Sequence, residues 1–196
     1  TAYEIYQCDW SSDVCSSDLG DGILAAAYGG GDADVTIFTN GTVTAGGHGL
    51  YAYVNGGTGL ISITANDLID AGSTGIRATN FGTGGIVINQ AAAADISGAA
   101  LFGVVAQASG GDIAIHNNGD IGTSGNLVTG DGVYARLTGG SGVITIDGSG
   151  AIFAGDDGID ARTTGNGADI VVNLTAASAD ITAMRSEEHT SELQSH

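Results

Sequence analysis

The chain has 196 residues, a length that fits one domain, and it contains 35 glycines but no proline. Its formal net charge is −18, which disfavours nucleic acid and anionic membranes as partners because both bind basic surfaces. No run approaches the roughly 18 apolar residues of a membrane-spanning helix, so we predict no membrane contact by this chain.

The first nineteen residues differ in composition from the long segment that follows them. Residues 20–184 contain fifteen Asp but no Glu, three Arg but no Lys, and neither Cys nor Trp. Every Glu, both cysteines and the single Trp lie in residues 1–19 or 185–196. We therefore predict that residues 20–184 form one folded domain and that the two flanks are foreign to it.

Both flanks resemble translated sequencing adapters. Residues 9–19 read DWSSDVCSSDL and residues 185–196 read RSEEHTSELQSH, and the two strings are similar to partner adapters used in short-read sequencing. The resemblance implies that 1–19 and 185–196 are not native, so that Cys8 and Cys15 form neither a disulfide framework nor a metal pair. We expect both flanks to be irregular, or weakly helical at the C-terminal end, with few contacts to the domain.

The domain contains a repeat that opens with a Gly-apolar-x-Ala tetrad. The tetrad occurs six times, at spacings of 27, 26, 28, 29 and 26 residues, and a period in this range is typical of solenoids. The tetrads start at Gly22, Gly49, Gly75, Gly103, Gly132 and Gly158. Because successive side chains of a strand point to opposite faces, the apolar residue and the Ala share one face. An Ala in all six copies predicts an inward position with little room.

Two further strand signals follow each tetrad. The second strand carries two apolar residues two positions apart, and all of them are β-branched, which favours a strand over a helix. These pairs are Val35/Ile37, Ile61/Ile63, Ile86/Ile88, Ile113/Ile115, Ile144/Ile146 and Ile170/Val172. The third and shorter signal centres on Val43, Ile69, Ile96, Ile121, Ile152 and Ile181.

Three strands per repeat, each paired with its equivalent one coil later, predict an all-β fold, a right-handed parallel β-helix of about six coils. We expect the coils to stack at about 4.8 Å and their inward side chains to form ladders. One ladder is predicted to contain Ile23, Leu50, Ile76, Val104, Val133 and Ile159. The other is predicted to contain Ile37, Ile63, Ile88, Ile115, Ile146 and Val172.

The outward positions of the tetrad strand supply the candidate binding residues. Tyr51, Arg77 and Tyr134 occupy such positions, and Tyr53 lies two residues after Tyr51. Tyr and Arg are enriched at the energetic centres of interfaces, so an outer strip of them suits a sugar or a protein partner. The alternative is simple decoration of an exposed sheet.

No catalytic residue, cofactor site or metal site is predicted. Asp21, Asp131 and Asp157 precede the tetrad glycine in three coils, but the other coils carry non-acidic residues there, which favours a role in turns. His48 and His116 lie at different coil positions with no Cys or second His nearby, so neither is assigned as a ligand or a base.

Residues 20–184 resemble autotransporter passenger domains. The resemblance rests on the tetrads, on the Ile-x-Ile strands, on the third strands GTVTAG, NDLIDAG and GAIFAG, and on the Cys-free, Lys-poor composition. The resemblance implies a surface-exposed or secreted bacterial protein in which this piece is a rigid stalk or an adhesin-type binding surface and not an enzyme. It also implies a C-terminal outer-membrane β-barrel that holds the helix at the cell surface. Host surface proteins or glycans would be the partners, and no cofactor is expected.

The alternative is a fragment of a secreted β-helical enzyme that acts on polysaccharides, with its active residues outside this piece. Such enzymes use a carboxylate cluster with Lys or Arg on an outer face. Arg77, Arg136 and Arg162 are predicted to point outward without an acidic triad beside them. A contiguous patch of three or more carboxylates with an Arg on one outer sheet would favour the enzyme.

Overall fold

The computed structural model describes residues 20–29, 31–99 and 101–175 in full, together with the backbone of three short strands nearer the termini. It is all-β, with no helix among the described residues. The strands of the first three coils and the segment before them are β1 (Tyr3–Ile5), β2 (Val14–Ser17), β3 (Ile23–Ala27), β4 (Val35–Thr39), β5 (Thr42–Ala45), β6 (Leu50–Val54), β7 (Ile61–Ala65), β8 (Ile69–Ala71), β9 (Thr74–Asn80), β10 (Ile86–Gln90) and β11 (Ile96–Ser97). The later strands are β12 (Phe102–Ala108), β13 (Ile113–Asn117), β14 (Val133–Leu137), β15 (Ile144–Gly148), β16 (Ile152–Ala154), β17 (Ile159–Thr163), β18 (Ile170–Leu174) and β19 (Ile181–Ala183).

The strands stack into a parallel β-solenoid with three sheets around each coil. The tetrad strands form the first sheet, in the order β1-β3-β6-β9-β12-β14-β17, and the Ile-x-Ile strands form the second, in the order β18-β15-β13-β10-β7-β4. The third sheet is shorter and consists of β11-β8-β5-β2 and the pair β16-β19. Isolated parallel bridges at Ile121 connect its two parts. The predicted coil count and the three strands per coil are confirmed.

The register aligns equivalent residues of successive coils. In the second sheet Ile61 pairs with Ile86, Ile86 with Ile113, and Ile113 with Ile144. In the first sheet the tetrad alanines pair in the same way. Because every inward residue lies on the equivalent residue of the next coil, the core is a stack of aliphatic rungs that extends from Ala27 to Ala154.

The two predicted ladders are buried over most of their length. In the first ladder the exposed fraction is 0 % for Leu50, Ile76, Val104 and Val133. In the second ladder it is 0 % for Ile63, Ile88, Ile115 and Ile146, and 3 % for Ile37. The terminal rungs Ile23 and Ile159 are only half-buried.

For Val172 the prediction of burial was wrong, because this side chain is 47 % exposed. It pairs with Ile146 in the expected register, but its strand β18 is the edge of the second sheet. Among the described strands only β15 pairs with β18, so no described coil covers the other side of Val172.

The tetrad glycine is explained by a close approach between the first and third sheets. A Cβ atom built on Gly103 would overlap the Cγ2 atom of Ile121 and the carbonyl oxygen of Gly132. Equivalent overlaps with the third-strand side chain occur at Gly22, Gly49, Gly75 and Gly132. The glycine therefore provides the space into which the Val or Ile of the third strand packs.

The expectation that residues 1–19 are irregular was wrong for two stretches of backbone. Tyr3–Ile5 pairs antiparallel with β3, and Val14–Ser17 pairs parallel with β5. The first coil exposes unpaired N–H and C=O groups along its strand edges, and any extended segment can satisfy them regardless of its side chains. The other parts of 1–19, and the predicted weak helix in 185–196, lie outside the described residues.

No helix long and apolar enough to cross a membrane occurs in the described part of the chain.

Candidate binding face on the first sheet

The outer face of the first sheet collects the large polar and aromatic side chains. All four tyrosines and all three arginines of residues 20–175 lie on its strands or directly beside them. Two rows of side chains point outward along the stack. The first row is Leu24, Tyr51, Arg77, Val105, Tyr134 and Asp160. The second row is Ala26, Tyr53, Thr79, Gln107, Arg136 and Arg162. By contrast, Ser, Thr, Asn and small apolar residues fill most outward positions of the second sheet. We call this outer surface of the first sheet the binding face.

The early coils of the binding face carry an aromatic cluster, which consists of Tyr28, His48, Tyr51, Tyr53 and Phe81. The ring centroids of Tyr28 and Tyr53 are 5.5 Å apart, those of Tyr51 and Tyr53 are 6.4 Å apart, and those of Tyr53 and Phe81 are 5.8 Å apart. The His48 ring meets Tyr51 edge-on at 5.3 Å. Tyr28 and Phe81 remain 60 % and 55 % exposed. The cluster is a continuous aromatic platform that is open to solvent.

Arg77 connects this cluster to the later coils. Its guanidinium carbon lies 5.6 Å from the centre of the Tyr51 ring, a cation–π distance. Burial raises the pKa of Tyr51, and the charge of Arg77 opposes that rise. The Nε atom of Arg77 is buried and has no hydrogen-bond partner.

The later coils form a groove of about 390 Å³, which we call the acidic groove. Its lining consists of Arg77, Phe102, Val105, Gln107, Asp131, Tyr134, Asp156, Asp157, Asp160 and Arg162. Val105 forms the floor and is only 3 % exposed. The rings of Phe102 and Tyr134 lie 6.0 Å apart on adjacent coils. The groove therefore combines an apolar floor and an aromatic pair with carboxylates and an arginine.

Four aspartates give the groove its charge. Asp131, Asp156 and Asp157 each place a carboxylate oxygen within 4.8 Å of the others. The backbone N–H of Asp157 donates to Asp131 Oδ1 at 3.2 Å. The fourth carboxylate, Asp160, accepts from Arg162 through both oxygens, at 2.6 Å in each case. Asp160 is thus neutralised locally. The whole lining contains four aspartates and two arginines, so the formal charge of the groove is negative.

The three clustered carboxylates are the described residues that could together hold a metal ion. Oxygen donors of this kind suit a hard divalent cation. Exposed acidic groups are common without any ion, so the prediction that this chain binds no metal stays a prediction.

The pKa of Asp131 is raised, mainly because the carboxyl group is buried and also because the charges of Asp160, Asp156 and Asp157 repel its ionised form. The hydrogen bond from the Asp157 backbone opposes this rise. The folded protein therefore binds this proton more tightly than the unfolded chain does. This contribution to stability is complete below the unfolded pKa and is lost as the pH rises through the folded pKa.

We accordingly expect Asp131→Asn to raise the melting temperature at pH 7. The amide keeps an oxygen that can accept from the Asp157 N–H and removes the charge. The difference from the unmodified protein should shrink as the pH falls through the raised pKa of Asp131, because the carboxyl group is then itself protonated. Thermal unfolding monitored by circular dichroism at several pH values measures this. A lower melting temperature for the variant at pH 7 would contradict the account of Asp131.

The structure brings together three of the four predicted binding residues. Tyr51, Tyr53 and Arg77 are in mutual contact or directly adjacent, whereas Tyr134 lies two strands away from Arg77 and packs on Phe102. Arg77 and Tyr134 nevertheless line the same groove. The predicted strip is therefore one surface with two parts.

Sequence reasoning missed the carboxylate side of the groove. Asp131 and Asp157 were recognised as residues before the tetrad glycine, but Asp156, Asp160 and Arg162 were not grouped with them. The prediction that the outward arginines have no acidic triad beside them was wrong, because Arg162 and three further aspartates line one groove. The available signal was the recurrence of Asp just before the last two tetrad glycines, with a further Asp two residues after the second of them.

No protein-family model matches the chain, and no curated protein and no solved structure shows significant similarity to it.

Proposed function

We propose that this chain is the rigid β-helical part of a surface-exposed or secreted bacterial protein of the autotransporter passenger type, and that its binding face engages glycans or proteins outside the cell. The observation that carries the proposal is the concentration of every described tyrosine and arginine on one of three faces. If these residues only decorated the solenoid, they would have no reason to avoid the other two sheets.

The chemistry of the binding face favours a glycan as the ligand. Aromatic rings stack on the apolar C–H faces of sugars, and carboxylates are strong acceptors for hydroxyl donors. Arg77 adds a donor for a ring oxygen or an acetamido carbonyl. Because four aspartates and two arginines line the groove, its formal charge is negative, and a neutral or positively charged saccharide fits better than one rich in uronic acid or sulfate.

The experiment is a glycan-array screen followed by titration calorimetry on the best ligand. Tyr134→Ala should weaken binding about tenfold, because it removes one ring of the Phe102–Tyr134 pair in the acidic groove. Phe38→Ala is the matched control, since Phe38 is an exposed aromatic on the second sheet. Equal losses for the two variants, or no binding to any glycan or to host surface proteins, would contradict the proposal.

A second candidate is a polysaccharide-active enzyme. The patch of four carboxylates with Arg162 on one outer sheet is the feature that favours it. In glycoside hydrolases a carboxyl group with a raised pKa acts as the acid beside a second carboxyl group. Asp131 has a raised pKa and lies beside the carboxyl group of Asp157. A reducing-end assay on the bound glycan separates the candidates: product that disappears in Asp157→Asn supports the enzyme, and unchanged glycan supports the binding module.

We also propose that residues 1–19 and 185–196 derive from sequencing adapters. The support is the change of composition at both boundaries, where Glu, Cys and Trp are confined to the flanks. Sequencing of the source genomic DNA across codons 19–20 and 184–185 tests this. Native codons that encode the same flanks would refute it.

A further inference from the structure

The C-terminal end of the solenoid exposes an apolar strand edge. Strand β18 is the edge strand of the second sheet and pairs on one side with β15. Ile170, Val171 and Val172 are 41 %, 47 % and 47 % exposed, whereas Ile144 and Ile146 on the preceding rung are 0 % exposed. An exposed β-branched edge strand of this kind is a template for pairing with another strand.

The opposite end of the same sheet differs. Strand β4 is the other edge, but its inward side chains Val35 and Ile37 are only 5 % and 3 % exposed. At that end the neighbouring first sheet is also extended by β1, which pairs antiparallel with β3. The N-terminal end therefore offers few uncovered apolar rungs on which the C-terminal coil of another molecule could stack.

The residue pattern of β18 is self-complementary when the strand pairs antiparallel with itself. In a register centred on Val172, Ile170 faces Leu174, and Val171 faces Asn173. The inward positions 170, 172 and 174 are then all apolar and stay on the core side of the continued sheet. A shift by one residue would place inward side chains opposite outward ones, so the pattern excludes that register. Among the registers that keep inward residues opposite each other, the one centred on Val172 pairs all five residues of β18.

We propose that two copies of this chain associate through β18 across a two-fold axis, C-terminal coil against C-terminal coil. The second copy continues the aliphatic ladders of the second sheet and covers Ile170 and Val172. An isologous contact of this kind uses the same patch on both molecules, so association stops at the dimer. Each chain carries a formal charge of −18, and the repulsion between copies makes the dimer stronger at higher ionic strength.

The test is analytical ultracentrifugation of the full chain over a range of concentrations at low and moderate salt. The expected result is a saturating shift to twice the 19.2 kDa mass of one chain, favoured by salt. Val172→Lys should abolish the dimer. Phe38→Lys should leave it intact, because Phe38 is an exposed residue on β4 at the opposite end.

Amide hydrogen exchange provides a second readout that needs no variant. The amides of β18 should exchange more slowly as the protein concentration rises, while those of β4 should not change. A monomer at every concentration, open-ended oligomers, or loss of the dimer in Phe38→Lys would each overturn the proposal.

Discussion

Replacement of Ile146 by aspartate is expected to destabilise the solenoid by about 3–5 kcal/mol, the cost of an uncompensated buried charge. Ile146 is 0 % exposed, and it pairs with Ile115 and Val172 on the adjacent coils. The carboxylate would lie among aliphatic side chains with no described cation near it. Urea denaturation followed by circular dichroism measures the loss.

Two variants on the same strand serve as controls. Thr145→Asp introduces the same charge on the outer face and should change stability little. Asp147→Ala removes a hydrogen-bond contact with His116, whose Nδ1 lies 2.6 Å from Asp147 Oδ1. Both side chains of that pair are more than a third exposed, so the expected loss is below about 1 kcal/mol. Equal losses for Ile146→Asp and Thr145→Asp would contradict the assignment of inward and outward positions.

The second large effect is expected at the tetrad glycine. Gly103→Ala should cost about 1–3 kcal/mol or more, because the added Cβ must displace Ile121 or the backbone at Gly132. Neither can move far, since Ile121 is fully buried and is bridged to Ile96 and Ile152 on both sides. Thermal unfolding and urea midpoints measure this loss.

Gly125→Ala is the matched control for this substitution. Gly125 lies in the insertion after the fourth coil, and nothing stands within 4 Å of its would-be Cβ. Its replacement should leave stability unchanged or raise it slightly, because alanine restricts the unfolded chain. If Gly103→Ala were tolerated as well as Gly125→Ala, the close approach between the first and third sheets would not be the reason for the tetrad glycine.

The coil stack could be predicted from the sequence because its signals are local and repeated. Each coil places β-branched residues two apart at the same offset from the tetrad, and such a pattern fits a strand buried on one face. Val172 satisfies that pattern as well as Ile146 does, yet it is exposed. Burial of a rung depends on the neighbouring coil, and this is not encoded in the rung itself.

The tetrad glycine shows a different limit. Its recurrence was evident in the sequence. The sequence does not show that a Cβ atom at this position would point at the Val or Ile of the third strand, about twenty residues later. The alanine two positions after the apolar residue was read correctly as a tight inward position. Ala52, Ala78, Ala106 and Ala135 are all 0 % exposed.

The acidic groove could not be assembled from the sequence because its residues come from several coils. Phe102 and Asp131 both precede a tetrad glycine, on adjacent coils, while Asp156 lies in the turn before the next tetrad. The loops between strands differ in length, so residues with no common offset meet on one face. The row that contains Arg77, Val105 and Tyr134 does follow from the tetrad alignment, and the register between strands confirms it.

The parallel stack that creates the binding face is tested most directly by backbone nuclear Overhauser effects between strands. The account predicts contacts from the backbone of Ile113 to that of Ile86 on one side and of Ile144 on the other, together with contacts that link Arg77, Val105 and Tyr134. All of these join residues about one coil apart in the sequence. Contacts between strands that are consecutive in the sequence, in the antiparallel pattern of hairpins, would contradict the solenoid and the binding face together.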